Sequence, residues 1–361
     1  MGRTANFWQC NPSNCGTSSI WETQYTYDLA GDVTQWVHPD KTYPATFTNT
    51  VNNAQQISNV GTQWTDGYHP SSLASISYSP WGAINSLTNG CASSGCTNTV
   101  ETYTYNNRLQ PWMIQLGTPT SNSSEYCLVY NYFSSWTAPS SCPAASSVPT
   151  SGTGNNGDVA GYWYQDSVNT SFDHTMSYTY DNVNRLTEAM ATGNSSFTQT
   201  YGYTGDGSTG QYGNMTCKTG CANMPANLTF SASTDQITSS NYTYDAAGDL
   251  TEDSSNSTAH TYQWDAEGRV SKVDSGNTWT FTYDAVGDRV AWVSGGTTYD
   301  HLFDPAGNWL GVAGSYSIAM LGNRPLTIYN SSETWFHHVN NIASRTFMVN
   351  HYGTPTQDMV F

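Results

Sequence analysis

Carboxylates and paired cysteines are the residues of this chain whose types and spacing invite chemistry. Asp245, Asp265, Asp284 and Asp304 recur at intervals of 20, 19 and 20 residues, and Gly248, Gly268, Gly287 and Gly307 follow them three positions later. A glycoside-cleaving pair would need two carboxylates flanking one cleft. A different use accounts for every copy. Aspartate at the first position of a four-residue turn accepts hydrogen bonds from backbone N–H groups inside it. The glycine closing the turn takes a left-handed conformation that a Cβ makes costly. These aspartates are therefore read as turn residues, and no catalytic residue is assigned.

Other catalytic and metal-binding constellations do not occur in the sequence. His337 and His338 are adjacent, and neighbouring strand residues point to opposite faces, so they do not converge on one metal. The zinc-protease His pair, the phosphate loop, the dinucleotide fingerprint and the nucleophile elbow are absent. Asp249, Glu252 and Asp253 offer hard oxygens, but no calcium-loop signature accompanies them. No metal and no cofactor is assigned.

Eight cysteines are present: Cys10, Cys15, Cys91, Cys96, Cys127, Cys142, Cys217 and Cys221. The pairs Cys10/Cys15, Cys91/Cys96 and Cys217/Cys221 are local, which suggests disulfide-closed loops made in an oxidising compartment. Reduced thiols are the alternative. Zinc is poorly served, because the pairs lie far apart in sequence without a matching His set.

The elements that must carry the turns are hairpin strands. Around Asp284, Trp279, Phe281 and Tyr283 alternate with Thr280 and Thr282, which places the aromatics on one strand face. A type I turn followed by a left-handed glycine then makes a bulged hairpin. The aromatics that phase with the turns are Tyr242 and Tyr244, Tyr262 and Trp264, Phe281 and Tyr283, and Phe303. Earlier in the chain, Tyr27 precedes Asp28 and Gly31, and Tyr180 precedes Asp181, with Asn184 in the glycine slot. Asparagine tolerates that conformation better than most residues. Tyr78 to Gly82, Tyr103 to Arg108, Tyr201 to Tyr203, and Tyr212 to Asn214 read as degenerate copies. A fixed period near 20 residues is the mark of a repeat architecture.

Composition agrees. Among 361 residues there are 25 Tyr, 13 Trp and 11 Phe, far more than a disordered chain carries. Acidic residues number 27 against 10 basic, a net charge of -17, and no Lys/Arg cluster interrupts the excess. Nucleic acid is therefore excluded as a partner. No apolar run of spanning length occurs, so no membrane span is expected. The residues from Met1 to Gln9 lack the apolar stretch of a signal peptide, and the chain ends in apolar material at Phe361. Both points suggest an internal piece of a longer exported protein.

The expected organisation is a polar segment over 1–20 and diverged repeats over 21–115, with phasing lost between 37 and 72. A Ser/Pro/Gly-rich loop or linker spanning 116–160 follows, then the repeat array over 161–310 and a changed pattern over 311–361. Helix content should be low.

The repeats resemble the tyrosine-aspartate (YD) repeats of Rhs proteins, of the C component of insecticidal toxin complexes, of bacterial wall-associated proteins and of teneurins. Asp265 to Val270 and Tyr180 to Leu186 are close to the common unit. Phe336 to Arg345 is similar to the His-x-Asp-x-Leu-Gly-Ser-x-Arg segment, with Asn340 or Asn341 near the usual Asp and Ala343 replacing Gly. Asp32, Asp249 and Asp288 stand where that family usually has Arg or Asn. The resemblance implies an all-β fold: an antiparallel hairpin strip coiling into a hollow, here partial, shell. It makes 311–361 the start of the associated core. It also implies a non-catalytic structural fragment, secreted or at the cell surface, whose partners are the rest of the shell and a C-terminal toxin domain. The alternative function is an adhesion or carbohydrate-binding module that meets a surface glycan or protein through exposed aromatics. In isolation, an open curved sheet with a bare edge is expected.

Overall fold

The structure is a computed structural model that describes residues 2–10, 15–16, 20–92, 94–149, 152–194, 196–203, 213–221, 225–255, 258–340, 342 and 344–358. Tyr212, Asn341, Ala343 and Phe361 lie outside them. Alternating apolar and polar residues, interrupted by turn chemistry, build an antiparallel meander. Strands numbered in chain order form a 15-stranded sheet from β1 (Asn6–Gln9) to β15 (Thr216–Thr219). A 13-stranded sheet runs from β16 (Tyr242–Tyr244) to β28 (Pro355–Asp358). In both sheets each strand pairs with its neighbours in sequence, without a crossover. The helical elements among the described residues are 3-10 turns at Ala145–Ser147, Thr170–Phe172 and Asp274–Gly276.

The region of lost phasing belongs to the strip. Residues 46–62 form β4 (Thr46–Val51) and β5 (Ile57–Thr62), which pair with each other and continue the strip. The segment read as a loop or linker is a loop only in part. Its beginning includes β10 (Ser121–Asn131), whose C-terminal half, Tyr126 to Asn131, is wholly buried. Its serines occupy the exposed half of that strand, so composition alone did not reveal the apolar run behind them.

The strip does not stay open. Its C-terminal turns double back and lay their inner face on the first sheet. Phe47 on β4 meets Tyr329 on β25 (Arg324–Tyr329) with ring centroids 6.0 Å apart, and Tyr126 on β10 meets Phe347 on β27 (Arg345–Asn350) at 5.3 Å. One continuous core joins the sheets, including Trp21, Trp36, Leu73, Leu116, Leu302 and Phe336. Burying this apolar face is what an open segment could not do, and the hydrophobic effect favours the closed arrangement.

Polar contacts fix the register of the two layers. Gln9 on β1 donates to the carbonyl of His301 at 2.5 Å and accepts from the N–H of Phe303 at 2.9 Å, so its side chain extends the backbone ladder of β22 (Thr297–Phe303). Buried Asp40 accepts from Gly314 N–H at 3.1 Å and from the Ser317 hydroxyl at 3.2 Å. His38 Nε2 lies 3.0 Å from the carbonyl of Leu310; burial pushes the pKa of this imidazole down to about 4, so it is neutral.

Candidate functional site

The recurring unit is the corner. At Asp245 one carboxylate oxygen accepts from the N–H groups of Ala247, Gly248 and Asp249 at 2.9, 3.0 and 3.0 Å. Asp284 does the same with Val286, Gly287 and Asp288 at 3.0, 2.9 and 2.9 Å. Asp265 accepts from Glu267 and Arg269, Asp304 from Ala306 and Asn308, Asp181 from Val183 and Arg185, and Asp28 from Gly31 and Asp32. The N–H groups of Asp32 and Gly31 hold the Asp28 carboxyl below its ordinary pKa, and those at Arg185 act likewise on Asp181. The closing residue is left-handed throughout: Gly31 at φ 107°, Gly248 at 99°, Gly268 at 73°, Gly287 at 100°, Gly307 at 81° and Asn184 at 61°. A strand register shift marks the bulge before each of these corners.

The second carboxylate oxygen is used where the residue after the closing position is a donor. Arg185 Nε donates to Asp181 at 2.7 Å, Arg269 Nε to Asp265 at 2.8 Å, and the Asn308 amide to Asp304 at 2.8 Å. The guanidinium of Arg185 then lies over the ring of Tyr203 at 4.3 Å, and that of Arg269 over Tyr283 at 4.7 Å. One arginine thus ties its own corner to the next repeat, through a charge-assisted bond and a cation–π contact. Acidic residues fill this position at Asp32, Asp249 and Asp288, and a basic residue from the preceding segment reaches the first and last of these corners. Arg3 donates to the carbonyl of Asp28 at 3.1 Å, and Arg269 to that of Asp284 at 3.4 Å.

The aromatic before the corner acts as a staple. Tyr180 donates its hydroxyl to the carbonyl of Val159 at 2.8 Å, Tyr283 to Val270 at 2.9 Å, Tyr27 to Thr4 at 2.8 Å, and the Trp264 indole N–H to Leu250 at 2.7 Å. The Tyr244 hydroxyl instead accepts from Ile237 N–H at 3.1 Å. Tyr242 and Tyr262 are half-buried on their strands. Phe281 stacks with Trp279 and lies beneath Arg289, and Phe303 adjoins His301.

The corners at Asn52, Asn340 and Asn350 lack aspartate and fall outside the repeat copies legible in the sequence. Asn52 accepts from Ala54 and Gln56 N–H groups, with Gln55 left-handed at φ 59°, and Asn350 accepts from Tyr352 and Thr354, with Gly353 at 79°. Asn340 accepts from Ile342 and Ser344. The available signal was Asn followed four residues later by Gln, since Asn52 bonds Gln56 and Asn106 bonds Gln110 through their amides.

Cysteines pair as Cys10–Cys15, Cys91–Cys96, Cys127–Cys142 and Cys217–Cys221. No free cysteine is found among the described residues. The third pair anchors the loop after β10 to that strand. Likewise among the described residues, no group of His, Cys, Asp and Glu is arranged to hold a metal ion. His337 and His338 are both buried.

Between the layers lies a buried ion pair. Glu101, 0% exposed, accepts from Arg324 Nη2 at 2.8 Å, and the Tyr103 hydroxyl accepts from Arg324 Nη1 at 2.9 Å. Burial raises the pKa of Glu101, but Arg324 and His338 outweigh it and bring the carboxyl down to about 2.

Where the layers part, a cavity of about 520 Å³ opens between β10 to β14 (Phe197–Gly202) and the last hairpins, lined by tyrosines on the inner face. No family model and no curated relative matches the sequence. Solved structures do match. The TcdB2–TccC3 crystal structure aligns over 94% of this chain with a TM-score of 0.67 and 15% identity. The chain has the fold of that part of TcdB2–TccC3: an all-β strip of antiparallel hairpins, the tyrosine-aspartate repeat shell architecture. It covers 18% of the longer chain's length. The Tc holotoxin pore of Photorhabdus luminescens aligns over 95% of this chain and 17% of that one, at 13% identity and a TM-score of 0.48. A TcdB2–TccC3–Cdc42 structure aligns over 94% and 18%, at 14% identity and 0.45.

Proposed function

We propose that this chain is a non-catalytic wall section of a larger tyrosine-aspartate shell, secreted or displayed at the cell surface. Its partners are the remainder of that shell and a C-terminal toxin domain that the shell encloses or presents. The carrying observation is the order of the strands, each of which pairs with its sequence neighbours within its own sheet, together with corner carboxylates that are occupied by backbone N–H groups. Such side chains support a wall and leave little for catalysis. The paired cysteines support an oxidising location. The adhesion reading has less behind it: the exposed tryptophans Trp8, Trp81, Trp279 and Trp309 belong to four separate strands or corners and form no ladder with one another.

Limited proteolysis of the natural translation product tests the proposal. A polypeptide segment downstream of this chain should resist protease until denaturant opens the wall. A natural product with no further domain, or one whose downstream domain is cut freely while the wall is intact, would contradict it.

A further inference from the structure

We infer that the tyrosine-lined cavity is a binding site for an organic cation, a quaternary or tertiary ammonium carried on an apolar body. Tyr130, Tyr162, Tyr178 and Tyr201 line it. The Tyr162 ring lies 6.3 Å from Tyr130 and 6.3 Å from Tyr178, so these rings form a continuous aromatic wall. Aromatic faces carry negative potential and attract cations held within about 6 Å, most strongly where water is excluded.

The charged groups around the cavity all have one sign. Asp358 lines it, accepts from the Tyr164 hydroxyl at 2.9 Å and is hydrogen-bonded to the carboxyl of Asp166, which is 1% exposed. Among the described residues neither Lys nor Arg lines the cavity. His174, on the same wall, has its pKa lowered by burial and brings no positive charge at neutral pH. Two facing carboxyl groups that share a hydrogen bond, and so one proton, present a single negative charge beside the tyrosine wall, and no lysine or arginine among the described lining residues offsets it. The volume of about 520 Å³ exceeds a trimethylammonium head and leaves room for a ring or short chain. This inference is independent of the shell proposal, since the cavity belongs to the fold of this chain.

The test is calorimetric titration of the full chain with benzyltrimethylammonium and with neopentylbenzene, in which carbon replaces the nitrogen. The cation should bind about tenfold tighter than its uncharged isostere. Asp358→Asn, which keeps an acceptor for Tyr164, should bring the two affinities together. Tyr201→Leu, which keeps apolar volume without the ring, should weaken the cation more than the isostere and decides the matter if the first variant misfolds. Equal affinity for both molecules, binding of neither, or a preference unchanged in both variants would overturn the inference.

Discussion

The hydroxyl of Tyr105 donates to the backbone carbonyl of Ile84, 21 residues earlier, at 2.7 Å. The same separation and bond recur between Tyr78 and Ile57, and between Tyr132 and Pro111. In each case an aromatic at or just past the end of one strand reaches the first residue of a strand that leaves an earlier corner. The tyrosine of the repeat is therefore a coupler between units. Tyr105→Phe should lower stability by about 1 kcal/mol, the worth of one partly buried hydrogen bond, as a shift in denaturant midpoint without a change in slope. An unchanged midpoint would count against the staple.

Gly287 isolates the backbone term. It sits at φ +100°, and a Cβ there would come no nearer to a side chain than 4.0 Å from Arg269 Nη1. Gly287→Val should cost about 1–2 kcal/mol from conformational strain alone. Gly287→Asn should cost less, because Asn184 already holds the equivalent place in its own corner. Thermal melts of the two variants check the order.

What was legible followed from that local chemistry. Aspartate and glycine at fixed spacing mark corners in the second half of the chain, because each corner is built from a few consecutive residues. Asn52 with Gln55 and Asn106 with Leu109 make corners of the same kind. A non-glycine residue is carried there by the asparagine's own hydrogen bonds, which glycine spacing does not reveal. Closure of the strip was not legible at all. Gln9 meets His301 and His38 meets Leu310 across 292 and 272 residues, and no periodicity encodes such a meeting. The cavity likewise exists only because distant segments converge.

Disulfide closure should matter most at Cys127–Cys142, which spans 15 residues and ties the long loop to buried β10. Replacing both cysteines by alanine should cost about 3 kcal/mol by the chain-entropy account. Calorimetry in oxidising buffer measures it, and a melt equal to the parent protein's would show that the loop needs no anchor.

Acid and base titrations of the fold oppose one another. Burial, with the neighbouring Asp166 carboxyl, raises Asp358 from 3.8 to about 7. The folded state therefore binds this proton more tightly than the unfolded one, and the associated stability is full below about pH 4 and is lost as pH rises through 7. His38 and His301 are lowered from 6.5 to about 4 by burial, so their contribution is full above 6.5 and is lost as pH falls towards 4. Asp358→Asn should gain stability relative to the parent as pH rises from 4 to 7. A difference that does not vary with pH would contradict this assignment.

The double-mutant cycle on Glu101 and Arg324 tests the doubled-back strip most directly, because these residues meet only if the two layers face each other. Removing one partner leaves an uncompensated buried charge, so Glu101→Gln and Arg324→Met should each cost about 3–5 kcal/mol. The account predicts that the double variant costs much less than the sum, with a coupling above about 1.5 kcal/mol; additivity within about 0.5 kcal/mol would show that the two side chains do not meet.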